Sequence, residues 1–222
     1  MRVVILVPYR ADGGRRDELW AWVRARYAAL HPDYELFVGT HQTAGPFNRS
    51  LAVNRAAKKA GAWDIAAIVD ADSFVSAAAL DAGIQRCTAT GQMVLPYDRF
   101  VYLSRAMSDA VLDGYDGNWW PGVEWTMPGT CSSVVVVNRS VWDESEGFDI
   151  GLAGWGAEDI IASLKFQTFG GGLQRIVGEV WHLHHPTASH DHIAENMDRA
   201  NLYAAASYNP PAMRELIARF RP

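Results

Sequence analysis

Short apolar runs separated by helical patterns constrain this chain more than any other feature. Val3-Val4-Ile5-Leu6-Val7 is continuous and mostly β-branched, and Pro8 stops it. Leu36-Phe37-Val38, Ile65-Ala66-Ala67-Ile68-Val69 and Met93-Val94-Leu95 repeat the theme. A strand with no polar alternation is buried on both faces, the habit of parallel sheets covered by helices. Helical patterns fill the gaps. Asp17 is placed to cap a helix whose apolar positions are Leu19, Trp20, Val23, Tyr27 and Leu30, ended by His31-Pro32. Ser50 to Ala60 forms a second helix, and Ser76 to Thr90 a third, ended by Gly91. This order predicts an α/β fold: a Rossmann-like, mostly parallel central sheet flanked by helices. Ligands bind such sheets beyond the carboxyl ends of the strands. Pro8-Tyr9-Arg10 and Asp70-Ala71-Asp72 stand there.

The regularity breaks after Leu95. From Pro96 to Gly129 the chain is rich in aromatic residues, Gly and Asp, and reads as one long functional loop. Ser132 to Val137 is a further strand, and Asn138 or Ser140 caps a short helix after it. Gly147-Phe148-Asp149 leads through a Gly-rich stretch to a helix from Glu158 to Phe169, closed by Gly170-Gly171-Gly172. Ile176 to Trp181 is the last strand, and one or two helices follow Ser189. With 222 residues, 49% of them apolar, the chain suits one domain. It divides into residues 1–98, 99–189 and a helical tail 190–222, the second part holding a smaller subregion.

A net charge of −5, with no basic run longer than Lys58-Lys59 or Arg15-Arg16, argues against long nucleic acid as a partner. Cys87 and Cys131 fit no zinc or redox spacing and read as two reduced thiols. The apolar stretch before Pro8 is too short for a signal peptide or a membrane span. A cytoplasmic location without a membrane span is the expectation.

Three clusters carry chemistry. Asp70-Ala71-Asp72 offers hard oxygen ligands at a strand end, although two Asp there also form turns. Alternation aims one of the two at a metal and leaves the other for a ribose or a water. His182-Leu183-His184-His185 supplies imidazoles, which beside a carboxylate suit Mn²⁺ better than Mg²⁺. Strand alternation pairs His182 with His184. His190 and His192 sit in the polar tail as surface residues. Glu158 and Asp159 open a helix, where any acidic pair complements the dipole. The preceding Gly154-Trp155-Gly156, however, lets backbone approach a ligand beside an aromatic face. An Asp at a helix N-terminus is expected to stay ionised and to accept a proton from an alcohol. Arg10 and Arg49 are each able to pair with a phosphate or a base edge.

Taken in order, these residues resemble the GT-A glycosyltransferases. The likeness is to the beta-galactosyltransferases and their relatives among polypeptide N-acetylgalactosaminyltransferases and bacterial chondroitin-type polymerases. Pro8-Tyr9-Arg10 is similar to the family's first-strand Pro-aromatic-Arg, and Phe47-Asn48-Arg49 to its Phe-Asn-Arg, both on the donor side. Asp70-Ala71-Asp72 resembles its Asp-x-Asp motif, which implies Asp72 as a metal ligand. Gly147-Phe148 resembles the segment before its catalytic loop. Trp155-Gly156-Ala157-Glu158-Asp159 resembles Trp-Gly-Gly-Glu-Asp, which implies Asp159 as the base. His182 and His185 fall where the family places its remaining metal ligands.

The resemblance implies transfer of a sugar from a nucleotide-diphosphate sugar, a UDP-sugar first, to an acceptor hydroxyl with inversion. Mn²⁺, with Mg²⁺ as the alternative, is held by Asp72, His182 and His185. Pro8, Tyr9, Arg10, Phe47, Arg49, Asp70, Ala71 and Trp155 meet the donor, Trp155 and Gly156 the acceptor, and Glu158 assists Asp159. The acceptor side is the smaller subregion, where aromatics between Phe100 and Trp125 offer faces for a sugar. The acceptor itself stays open among glycans, protein side chains, lipid-linked sugars and modified nucleobases. Two departures stand out. Ala157 replaces the second Gly, and Ile160 stands where the galactosyltransferases continue with a third acidic residue. Two other readings compete. Arg10 to Arg16 partly offers the Gly-rich basic loop of a sugar nucleotidyltransferase, and a non-catalytic carbohydrate-binding domain would share the aromatics.

Overall fold

A computed structural model describes residues 1–41, 45–152, 154–186 and 191–221. The N-terminal half alternates as its sequence requires: β1 (Val3–Pro8), α1 (Arg15–Leu30), β2 (Glu35–Gly39), α2 (Arg49–Ala60), β3 (Ile65–Val69), β4 (Ser73–Phe74), α3 (Ala77–Thr90) and β5 (Met93–Leu95). β1 and β3 are buried along their whole length. Ser76 caps α3 by accepting from the Ala79 amide, and Gly91 ends it in the left-handed region at φ 73°. Asp17 does not cap α1, whose N-cap is Gly14. It lies one turn in, where its carboxylate accepts from the amides of Asp12 and Gly13 and from the Tyr9 hydroxyl. The acidic side chain folds the preceding loop back instead of closing the helix.

The second half contains β6 (Arg99–Leu103), α4 (Arg105–Leu112), a 3₁₀ turn at Trp120–Gly122, β7 (Val123–Pro128), β8 (Val134–Asn138), α5 (Arg139–Ser145), α6 (Glu158–Gly170), β9 (Leu173–Arg175), β10 (Glu179–His182), α7 (Ile193–Ala205) and α8 (Pro210–Phe220). Asn138, not Ser140, caps α5. The main sheet runs β2-β1-β3-β8-β5-β9. It is parallel except at β8, which pairs antiparallel with β3 and β5.

Two expectations fail together. The span from Pro96 to Gly129 is not one loop, and the strand expected from Ile176 to Trp181 runs only from Glu179 to His182, with an unexpected short strand before it at Leu173–Arg175. Leu173–Arg175 closes the main sheet, while Glu179–His182 joins a second sheet, β4-β10-β6-β7. The aromatic and aliphatic run Phe100-Val101-Tyr102-Leu103 carries the strand signal for β6, and the aromatic density of the whole span masks it.

α2 lies against β1 and β2 through small residues, with Ala52, Val53 and Ala56 fully buried. The fit is tight enough that a Cβ on Gly39 would stand 1.8 Å from the Ala52 carbonyl oxygen. This contact delivers the start of α2 to the carboxyl edge of the sheet. α6, α7 and α8 enclose a smaller core of Leu152, Ile161, Tyr203, Met213 and Ile217. Among the described residues, no helix is long and apolar enough to cross a membrane.

Candidate active site

β3 runs apolar to Val69 and hands over to Asp70, whose amide donates at 2.8 Å to the carbonyl of Ser133, the residue just before neighbouring β8. α2 begins opposite. Asn48 caps it by accepting from the Leu51 amide, and its own amide group donates to the carbonyls of Ile150 and Leu152. Arg49, the next residue, reaches both ways. Its Nε donates to Asp70 at 2.8 Å and its guanidinium to Asp159 at 2.7 Å, with the Phe148 ring 5.5 Å away. One cation thus joins two carboxylates that stand 89 positions apart in the chain.

One guanidinium does not neutralise this group. Burial raises the Asp159 carboxyl, and the charges of Glu158 and Asp70 raise it further, against the lowering effect of Arg49; it is pushed up to about 8. Asp70 is raised too, first by burial and then by Asp72, with Arg49 opposing. The helix N-terminus alone predicts an ionised Asp159, and burial overrides it.

The second cluster forms across the small sheet. Ser73 pairs with His182 in the β4–β10 ladder, and the Leu183 amide donates to the Asp72 carbonyl at 2.9 Å. Asp72 Oδ2 lies 3.0 Å from His185 Nε2, and Oδ1 lies 3.5 Å from His182 Nε2. One ligand atom from each of the three falls within 4.8 Å of the others. The alternation that pairs His182 with His184 ends with the strand at His182. The chain then turns: His184 donates its amide to Ser108 and faces Glu124, while His185 returns to Asp72. Burial works against an ionised Asp72, but His182, His185 and Arg16 outweigh it and hold the carboxyl well below its usual range. Burial lowers His182 to about 4, so its ring is neutral at neutral pH. His182 Nδ1 is buried and has no hydrogen-bond partner among the described residues. An ionised carboxylate beside a neutral imidazole and a second imidazole fits a borderline divalent cation.

The loop before α6 is shaped by its backbone. Gly154 and Gly156 have φ of 65° and 107°, and Ala157 takes φ 72° at the helix cap without a capping side chain. Glu158 accepts from the Gly156 amide at 3.0 Å. Trp155 is 49% exposed, and its carbonyl accepts from Asn196 on α7. Asp149 anchors the approach, taking two hydrogen bonds of 2.7 Å from Arg199 and one of 2.8 Å from Tyr203. Asn54 clamps the Phe148 backbone through both its amide and its carbonyl, and buried Lys165 donates to the Gly147 carbonyl. Sequence reasoning missed Asn54, Lys165 and Arg199. Only Phe148-Asp149 hinted at them, because their partners lie far away along the chain.

The expected donor residues border the same edge. Pro8 ends β1 beside Gly39, the Tyr9 ring lies 5.6 Å from Trp20, and Arg10 stands over Phe47 at 5.4 Å. Ala71 is the turn residue between the two carboxylates. Of the aromatic span, Phe100 and Tyr102 pack in the second sheet, and Trp119 meets Phe74 and Trp181 in the core. Trp125 instead stacks on Tyr102, which stacks on His182, with ring centroids 5.1 and 4.9 Å apart. This ladder of rings leads from the Asp72 cluster to an indole that is 44% exposed. In the tail, His192 pairs with Glu195 at the surface, and His190 lies outside the described residues.

No protein-family model matches this chain, and no curated protein matches it. Solved structures do. The catalytic domain of Drosophila beta1,4-galactosyltransferase 7, solved with xylobiose, matches with a TM-score of 0.59 at 15% identity, over 90% of this chain and 79% of that one. Glucosyl-3-phosphoglycerate synthase from Mycobacterium tuberculosis, solved with Mn²⁺, UDP-glucose and phosphoglyceric acid, matches with a TM-score of 0.55 at 12% identity, over 92% and 79%. TarS of S. aureus, residues 1–349, matches with a TM-score of 0.54 at 13% identity, over 99% and 70%. The strand order, the presence of a second, smaller sheet and these matches agree: this chain has the GT-A fold of glycosyltransferases.

Proposed function

We propose that the chain is a metal-dependent glycosyltransferase that moves a sugar from a nucleotide diphosphate, UDP first, to an acceptor hydroxyl with inversion. The observation that carries this reading is the junction at residues 70–72. Asp72 joins His182 and His185 on one side, and Asp70 joins Arg49 and Asp159 on the other. Asp72, His182 and His185 would hold the cation, and two imidazoles favour Mn²⁺ over Mg²⁺. A cation bound there would supply Lewis-acid neutralisation of the leaving diphosphate.

The remaining work belongs to the chain. Asp159 accepts the acceptor's hydroxyl proton as that oxygen bonds to the anomeric carbon and the bond to the diphosphate breaks. A carboxyl pushed up to about 8 suits a general base working near neutral pH. Arg49 fixes the base and Asp70 in one geometry. Pro8, Tyr9, Arg10 and Phe47 flank the nucleotide, while Trp155, Gly156 and Glu158 hold the donor sugar and acceptor at the α6 cap. The two free thiols, Cys87 and Cys131, support the cytoplasm as its compartment.

The test is Asp159→Asn. Transfer from a UDP-sugar is expected to fall by about three orders of magnitude or more, while calorimetry shows UDP and Mn²⁺ binding retained. Full activity in that variant overturns the assignment of the base. Release of diphosphate from UTP and a sugar 1-phosphate would instead mark a nucleotidyltransferase.

A further inference from the structure

Two arginines open α1, and they are used differently. Arg15 is committed: its guanidinium pairs with Asp109 at 2.7 Å and Glu18 at 3.2 Å, and its Nε donates to the His184 carbonyl. Arg16 has, among the described residues, one ion pair, and that is with the cluster. Its NH1 lies 3.6 Å from Asp72 Oδ2, and its NH2 lies 3.2 Å from His185 Nδ1. The side chain is 39% exposed, so it has room to swing. Its backbone has less freedom, because Asp17, the next residue, holds the loop before it through Asp12, Gly13 and Tyr9.

The guanidinium therefore touches two of the three residues that would hold a divalent cation. Two cations sharing one carboxylate repel each other, so each weakens the binding of the other. The repulsion ends when an anion with several oxygens joins them. A nucleoside diphosphate is such an anion, and a guanidinium is the side chain best matched to a phosphate.

We propose that Arg16 is a diphosphate-binding residue that also couples metal binding to nucleotide binding. With the site empty, it offsets the charge of Asp72. With metal and nucleotide present, it turns from Asp72 to the phosphate oxygens. Metal alone then binds weakly, and metal with a nucleoside diphosphate binds tightly, by the reciprocity of linked equilibria. The inference rests on the metal-dependent reading above.

Arg16→Gln and Arg16→Lys test it in the full chain. The affinity for Mn²⁺ alone is read from the electron paramagnetic resonance of the free ion. The affinities for UDP and for uridine, at saturating Mn²⁺, are read by calorimetry. For Arg16→Gln, Mn²⁺ alone is expected to bind several-fold more tightly and UDP about tenfold more weakly, with uridine unchanged. Arg16→Lys keeps the charge and is expected to recover most of the UDP affinity. UDP affinity within twofold of the parent, or an equal loss for UDP and uridine, overturns the role of Arg16 and leaves the glycosyltransferase reading intact. A parent chain that binds neither Mn²⁺ nor UDP overturns that reading and this inference with it.

Discussion

Asp72 and Asp159 are both buried carboxylates, and their neighbours push them in opposite directions. Two imidazoles and Arg16 hold Asp72 ionised against burial. Asp159 shares its one arginine with Asp70 and sits beside Glu158, so burial and like charge dominate. Carboxyls pushed apart in this way suit different roles, and the proposed function gives Asp72 that of a ligand and Asp159 that of a proton acceptor. With Asp159 at about 8 in the free protein, kcat/KM is expected to rise from pH 6 and level off above about 8. A flat profile over that range contradicts the assignment. Stability gives a second reading. A carboxyl raised on folding favours the native state below its ordinary value of 3.8, and that contribution is lost as pH rises through about 8. The Tm of Asp159→Asn should therefore gain on the parent between pH 4 and pH 8 and hold a constant offset above it, as followed by calorimetric melting. Phe47-Asn48-Arg49 is visible in the sequence as a motif. The opposed carboxylates on either side of Arg49 are not, because Asp159 reaches it from α6.

At the scale of elements, α2 is the lever that sets the site. Its capping residue, Asn48, ties the Ile150 and Leu152 carbonyls to the helix, and its first residue bridges the carboxylates. Its position depends on Gly39, since the Ala52 carbonyl occupies the space of a β-carbon there. Gly39→Ala is expected to cost about 3 kcal/mol in denaturant unfolding, since backbone rather than a flexible side chain must move. It should also lower transfer, because α2 carries Arg49 with it. An unchanged midpoint would mean that α2 shifts freely. Much at this scale is legible in the sequence. The apolar runs of β1 and β3, the Ser76 cap and the Gly91 stop all act locally, through backbone preferences read a few residues at a time. Asp17 shows the limit: an acid near a helix start reads as a cap, and its actual partners lie in the loop before it.

At the scale of the molecule, the second sheet completes the site. β4 is only two residues long, yet it brings Asp72 beside β10, and β6 and β7 extend the same sheet outward. The rings of His182, Tyr102 and Trp125 stack across three strands, from the cluster to the open indole. Flat aromatic faces of this kind pack on sugar C–H faces, so Trp125→Ala is expected to raise the acceptor KM about tenfold. Metal-dependent hydrolysis of the donor, measured without acceptor, should stay near the parent rate. Loss of both activities would assign Trp125 to the stability of the sheet instead. Ile160, 39% exposed in the first turn of α6, adds no third charge beside Glu158 and Asp159.

The sequence by itself determined five of the six strands of the central sheet, the carboxyl-end positions of Tyr9 and Asp70, and the acidic opening of α6. Each follows from local periodicity, and periodicity needs no knowledge of distant residues. Tertiary structure decided which histidine meets Asp72. Alternation holds only inside a strand, and β10 stops at His182, so the turn beyond it brings in His185 and leaves His184 outside. Tertiary structure also decided the charge on Asp159, since burial and the partners Arg49, Asp70 and Glu158 come together only in the folded chain. The order of strands and helices is written in local preferences, whereas the chemistry of the site depends on long-range contacts and on exclusion from water.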